Sequence, residues 1–124
     1  MCRCCWCCRA LARGKKVFLR EALWTRFLPA YDQIEQWLRS GAIGRVHTIQ
    51  SSFCFAADED MTSRNLAPEL AGGSQLDIGI YNLSVTRWVL QTALGQCPEP
   101  LDMQVRGVLA PTGVDQRVSA TLGI

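Results

Sequence analysis

The sequence predicts an α+β fold in which helices cover one face of an open, mostly antiparallel sheet, and three observations predict it. One is a stripe of apolar residues at helical spacing, Ala30, Ile34, Trp37 and Leu38. Another is an alternating stretch from Arg45 to Phe55, in which Ile49, Phe53 and Phe55 share one side and Thr48, Gln50 and Ser52 the other. The third is a pair of strand-like runs, Leu101 to Leu109 and Val114 to Ile124, joined by a loop holding Pro111 and Gly113.

Taken in order, Ala10 to Gly14 reads as the last turn of a helix, stopped by Gly14 among basic residues. Val17 to Trp24 is rich in bulky apolar residues and reads as a strand. Pro29 fits the first position of the next helix, Asp32 and Glu35 suit its positive end, and Gly41 supplies a left-handed stop. After the alternating strand, residues 56–70 form a polar loop with Asp58, Glu59 and Asp60, long enough to suspect a functional role. Gly72-Gly73-Ser74 introduces a helix from Gln75 to Leu90, and Ser74-x-x-Asp77 has the form of a capping box. The predicted order is β-α-β-α-β-β behind a helical tail.

The chain has 124 residues, 13 Lys plus Arg against 11 Asp plus Glu, and 48% apolar residues, which fits one globular domain and excludes a disordered chain. Charge and cysteine are unevenly spread. Arg3, Arg9, Arg13, Lys15, Lys16 and Arg20 fall in the first twenty residues with no acid, as do five of the seven cysteines, Cys2, Cys4, Cys5, Cys7 and Cys8. The overlapping C-x-x-C pairs could each hold half a zinc site. The distant candidates to complete it, Cys54, Cys97 and His47, are unpaired, so no metal is expected. The basic run lacks aromatic platforms, so a solvated face is expected rather than a nucleic-acid surface. No apolar run is long enough for a membrane span, and Arg3 and Arg9 interrupt any signal-peptide core, so a cytoplasmic protein is expected.

Candidate chemistry is sparse. There is no G-x-G-x-x-G, no phosphate loop and no G-x-S-x-G. Asp77 and Tyr81 are four apart, so on a regular helix they share a face, with Gly79 between them allowing another group to approach. By spacing alone a capping Asp and a core-facing Tyr are the favoured reading. Trp24 and Arg26 could line a pocket, or could be a core residue and an ion-pair partner.

Four segments in order carry a resemblance: Lys16-Val-Phe-Leu-x-Glu-Ala-Leu-Trp-Thr-Arg-Phe-Leu-Pro29, Ser40-Gly-x-Ile-Gly44, Gly72-Gly-x-x-Leu-Asp-Ile-Gly-Ile-Tyr81 and Gly113-Val-Asp115. Together they resemble the glucose–fructose oxidoreductase, inositol dehydrogenase and MocA (Gfo/Idh/MocA) family. The likeness is to its branch of dimeric dihydrodiol and D-xylose dehydrogenases, and runs from about Ala10 to Ile124. It implies an incomplete substrate domain of a Rossmann-type dehydrogenase, with residues 1–15 a Cys-rich basic head and 16–124 the partial domain. It implies hydride transfer between NAD or NADP and a small-molecule sugar or diol, and a homo-oligomer formed through the sheet face. Tyr81 then stands at the catalytic position, Asp77 at a contact one turn earlier, Trp24, Phe53 and Phe55 along the substrate pocket, and Arg26 toward the cofactor. The sequence departs from the family in lacking the Rossmann domain and the Glu-Lys-Pro motif, in Ser74 for a third glycine, and in Arg20 for an apolar residue. A truncated or misread reading frame is the simplest expectation, leaving a chain that neither binds nicotinamide tightly nor turns over alone. The contrasting reading is a non-catalytic interaction or metal-binding module using the sheet face and the Cys-rich head.

Overall fold

A computed structural model describes residues 4–57 and 60–124, with residues 4–6 as backbone only. Cys2, the Cys4 and Cys5 thiols, and Asp58 and Glu59 therefore lie outside the described residues. The regular elements are three helices, α1 (Cys4–Lys15), α2 (Pro29–Ser40) and α3 (Ile80–Leu94), followed by β1 (Asp102–Leu109) and β2 (Asp115–Gly123). The two strands pair antiparallel as an open sheet, with Met103 opposite Leu122 and Val105 opposite Ala120. The α+β class stands, with a shorter sheet than the sequence suggests.

The signals that bound α2 behave as read. Pro29 opens α2, and Gly41 closes it at φ 73°, its N–H donating to the Trp37 carbonyl. Glu35 and Arg39 pair at 2.7 Å along its exposed face, which contributes about 0.3–0.5 kcal/mol. The half-buried side runs through Tyr31, Ile34 and Leu38, while Ala30 and Trp37 of the predicted stripe are exposed. Gly14 does not stop α1. That helix continues to Lys15, and the left-handed residue is Lys16 at φ 52°.

Both predicted early strands are corrected. Residues 17–23 have no regular structure, and Trp24–Phe27 is a short 3₁₀ helix. Residues 45–55 likewise join no sheet. A strand is made by a neighbour's hydrogen bonds as much as by its own alternation, and among the described residues neither segment has a ladder partner. The order is thus α-α-α-β-β. Residues 46–50 instead share a cleft with Ile34 and Leu38 of α2 and Val89 of α3.

The loop before α3 is compact. Ala67 is 1% exposed and Leu66 is buried with it. The N–H groups of Gly72 and Gly73 donate to the carbonyls of Ala67 and Asn65 at 3.0 and 2.9 Å. A Cβ on Gly72 would stand 2.9 Å from both carbonyl oxygens, so only glycine allows this approach.

Candidate functional site

The site is built on α3 and the turn before it. Ile80 to Leu94 is an apolar helix closed by Gly95 in the left-handed conformation. Residues Gln75–Gly79, just before it, form one wide π turn, a geometry found mostly as single insertions near functional positions. Tyr81, Ser84 and Trp88 follow at helical spacing and share a side of α3.

The Trp24–Phe27 turn lies along that side. Trp24 meets Tyr81 edge-on, with ring centroids 6.3 Å apart and planes at 61°. Two residues on, Arg26 Nε donates to Ser84 Oγ at 3.2 Å, and its guanidinium stands 5.8 Å from the Trp88 ring centre. Tyr31 of α2 packs on Trp88 from the other direction, 4.5 Å between centroids. Phe53, from the extended segment after α2, meets Tyr81 at 5.5 Å and 71°. The Tyr81 ring is therefore held by two aromatic neighbours in the edge-to-face arrangement that their quadrupoles favour.

Beside this cluster opens a groove of about 420 Å³, lined by Phe53 and Phe55 on one wall and by Gln75, Ile78, Asn82 and Arg117 elsewhere. Aromatic walls with a few convergent polar groups suit a small polar molecule that also has an apolar face.

Asp77 has a partner that the sequence did not suggest. Asp77 lies within the wide turn, and its carboxylate pairs with Arg64 at 2.9 Å. Asp77 is 21% exposed and Arg64 72%, so the pair is worth about 0.2–1 kcal/mol. Ser74 does not cap its own helix either. It is already helical, and its hydroxyl donates to Asp115 Oδ2 at 2.7 Å. The same oxygen accepts from the Gln75 N–H at 2.6 Å. The close approach expected at Gly79 is made by Gln75, whose Oε1 would lie 2.6 Å from a Cβ there.

Trp24, Phe53 and Tyr81 are thus gathered, and Phe55 lines the same groove as Phe53, while Arg26 is engaged with Ser84 and Trp88 further along α3. Arg64 and Asp115 are the residues that sequence reasoning missed. Arg64 had one signal, as the lone cation in a loop that is otherwise acidic. Asp115 had none beyond its place in the Gly113-Val-Asp115 motif.

Comparison with known proteins agrees in one direction. Residues 31–124 match the GFO/IDH/MocA C-terminal domain. The chain is 40% identical over 111 residues to trans-1,2-dihydrobenzene-1,2-diol dehydrogenase of Danio rerio, covering 90% of this chain and 31% of that protein. It is 36% identical over 113 residues to the Homo sapiens enzyme of the same name, covering 91% and 32%. It is 33% identical over 121 residues to D-xylose 1-dehydrogenase (NADP(+)) of Hypocrea jecorina, covering 87% and 30%. The chain spans about a third of the length of these relatives.

Proposed function

The chain belongs to the GFO/IDH/MocA family through its C-terminal domain, and from that premise we propose that it forms the substrate-facing part of an NAD(P)-dependent oxidoreductase acting on a sugar or diol. In this reading residues 16–124 are the partial substrate domain. Support comes from relatives that are named dehydrogenases of a diol and of D-xylose. The observation that carries the reading is the Tyr81 ring, in edge-to-face contact with Trp24 and with Phe53, which itself lines the groove.

Oxidising an alcohol to a carbonyl removes a hydride from carbon and a proton from oxygen. The Tyr81 oxygen is the group this chain offers for the proton, taking it as phenolate and returning it as phenol in the reverse reduction, and positioned acid–base groups contribute about 10²–10⁴-fold. Trp24 and Phe53 fix its ring, while Phe55 offers an apolar wall to the substrate's carbon face. Asp77, held by Arg64, is assigned a substrate hydroxyl, which would share its carboxylate with the guanidinium.

The described residues do not fit a dinucleotide by themselves. They contain no strand, Gly-rich turn and helix in sequence to seat a pyrophosphate, and Arg26 already donates to Ser84. The proposal assigns the cofactor to a separate nucleotide-binding half. Association of copies through the sheet face belongs to the same reading, since Met103 is 66% and Val105 55% exposed there.

The test joins this chain to the nucleotide-binding half of a relative. Oxidation of a diol or of xylose is expected in the joined protein and not in the 124-residue chain alone. Tyr81→Phe is expected to lower kcat by about 10²–10⁴-fold. Full activity of Tyr81→Phe would overturn the assignment.

A further inference from the structure

We propose that Asp115, the first residue of β2, is a positioning residue for Tyr81, acting through the wide turn at Gln75–Gly79. The inference rests on the reading of Tyr81 given above and extends it to a residue forty-one positions from Ser74.

The geometry is specific. One carboxylate oxygen of Asp115 accepts from both the Ser74 hydroxyl and the Gln75 N–H, at 2.7 and 2.6 Å in a partly buried setting. The Gln75 N–H is among the first amides of the helical run, which have no partner within the helix. A negative charge at that end also meets the positive pole of the helix dipole. The second oxygen lies against Gly73, which adopts φ +121°, and a Cβ there would stand 2.5 Å from it. The carboxylate is therefore seated in a cradle that needs glycine twice over, for conformation and for space. On the other side of the turn, the Gln75 side chain folds over Gly79.

The consequence for Tyr81 follows from helix geometry. A π turn holds one residue more than an α turn, and one residue is about 100° of rotation. Closing the turn to α geometry would therefore swing Tyr81 relative to the anchored Gly73–Gln75 end, away from Trp24 and Phe53. Asp115 fixes that end to the sheet and so fixes which way the phenol faces.

Nuclear Overhauser effects in the 124-residue chain test this directly. Asp115→Ala is expected to abolish the Tyr81–Phe53 and Tyr81–Trp24 ring contacts and to shift the Ile78 and Gly79 amides. The Tyr31–Trp88 contact reports whether the rest of the fold persists. Asp115→Asn keeps one acceptor oxygen and is expected to restore the Tyr81 contacts. Unchanged Tyr81 contacts in Asp115→Ala would overturn the proposal. Should that variant also lose the Tyr31–Trp88 contact, Ser74→Ala decides instead. It removes one donor and leaves the carboxylate, and Ile78 and Gly79 amides that do not shift would overturn the proposal.

In the protein joined to a nucleotide-binding half, Asp115→Ala is expected to lower kcat about 10- to 100-fold with KM within about twofold. A raised KM with unchanged kcat would overturn the positioning role. An active Tyr81→Phe variant would instead remove the catalytic reading while leaving the ring contacts to judge Asp115, so the two failures are distinguishable.

Discussion

Around α3, Trp24, Arg26, Tyr31 and Phe53 each meet a defined partner, whereas along β1 every residue is exposed, Met103 and Val105 included. The contrast extends to the segment after α1, where Phe18 is 85% exposed beside exposed Val17 and Leu19. Both regions are apolar, so composition does not separate them. What separates them is whether their side chains meet another element among the described residues. The α3 region makes side-chain contacts with the 3₁₀ turn, α2 and the head of β2, although Trp24 and Leu83 stay exposed. The sheet and the 17–19 segment present apolar surface that another surface would have to cover. In the proposed reading the chemistry sits on the part with side-chain partners.

The largest expected effect breaks that part at its tightest point. Gly73→Ala places a side chain in a conformation essentially reserved for glycine and pushes a methyl into the Asp115 carboxylate. Backbone strain and a disturbed cap together predict a loss of about 3 kcal/mol in urea unfolding. A change below about 0.5 kcal/mol would show that the Asp115 link contributes nothing to the α3 region. Leu90→Ala comes next. Leu90 is 7% exposed, among the few buried apolar residues described, and its truncation is expected to cost about 2 kcal/mol by the same measurement.

Phe18→Ser sharpens the comparison from the other side. An aromatic residue this exposed contributes little to the isolated chain, so its stability is expected to change by less than about 0.5 kcal/mol. Its removal is expected to reduce self-association by sedimentation velocity, because it deletes exposed apolar area. A large destabilisation would mean that residues 17–19 are packed in solution, and the division drawn above would fail.

The division also explains how much was legible in the sequence. Helix α2 was readable because Pro29 and Gly41 carry their signals locally. The β1–β2 pair was readable because a short loop brings alternating partners together. Val17–Trp24 and Arg45–Phe55 have strand character in composition, but pairing is a property of two segments, and the second is absent from the described residues. In the site, Tyr81 and Trp24 came forward through the ordered family motifs, and Phe53 through the alternating stretch that the resemblance places along the pocket. The wide turn at Gln75–Gly79 has no sequence signature. Arg64 and Asp115 escaped because each acts across the fold on a helix that begins elsewhere.

The smallest effect concerns order that needs no packing at all. Asp60 is exposed, yet its Oδ1 accepts from the Thr62 N–H at 2.8 Å and the Thr62 hydroxyl at 2.7 Å. These bonds favour the charged carboxylate, the backbone bond most and the hydroxyl next, and hold its pKa below the ordinary aspartate value of 3.8. A depressed folded-state pKa means that the stabilisation is fully present above the ordinary value and is lost as pH falls through the lowered one. An NMR titration of the Asp60 carboxyl carbon should therefore show a midpoint below 3.8. Thr62→Val should raise that midpoint only part of the way, since the N–H bond survives. A midpoint at or above the ordinary value would mean that the turn is not formed in solution. The compact loop leading to Leu66 and Ala67 would then owe its order to those two buried side chains and not to hydrogen bonds at its start.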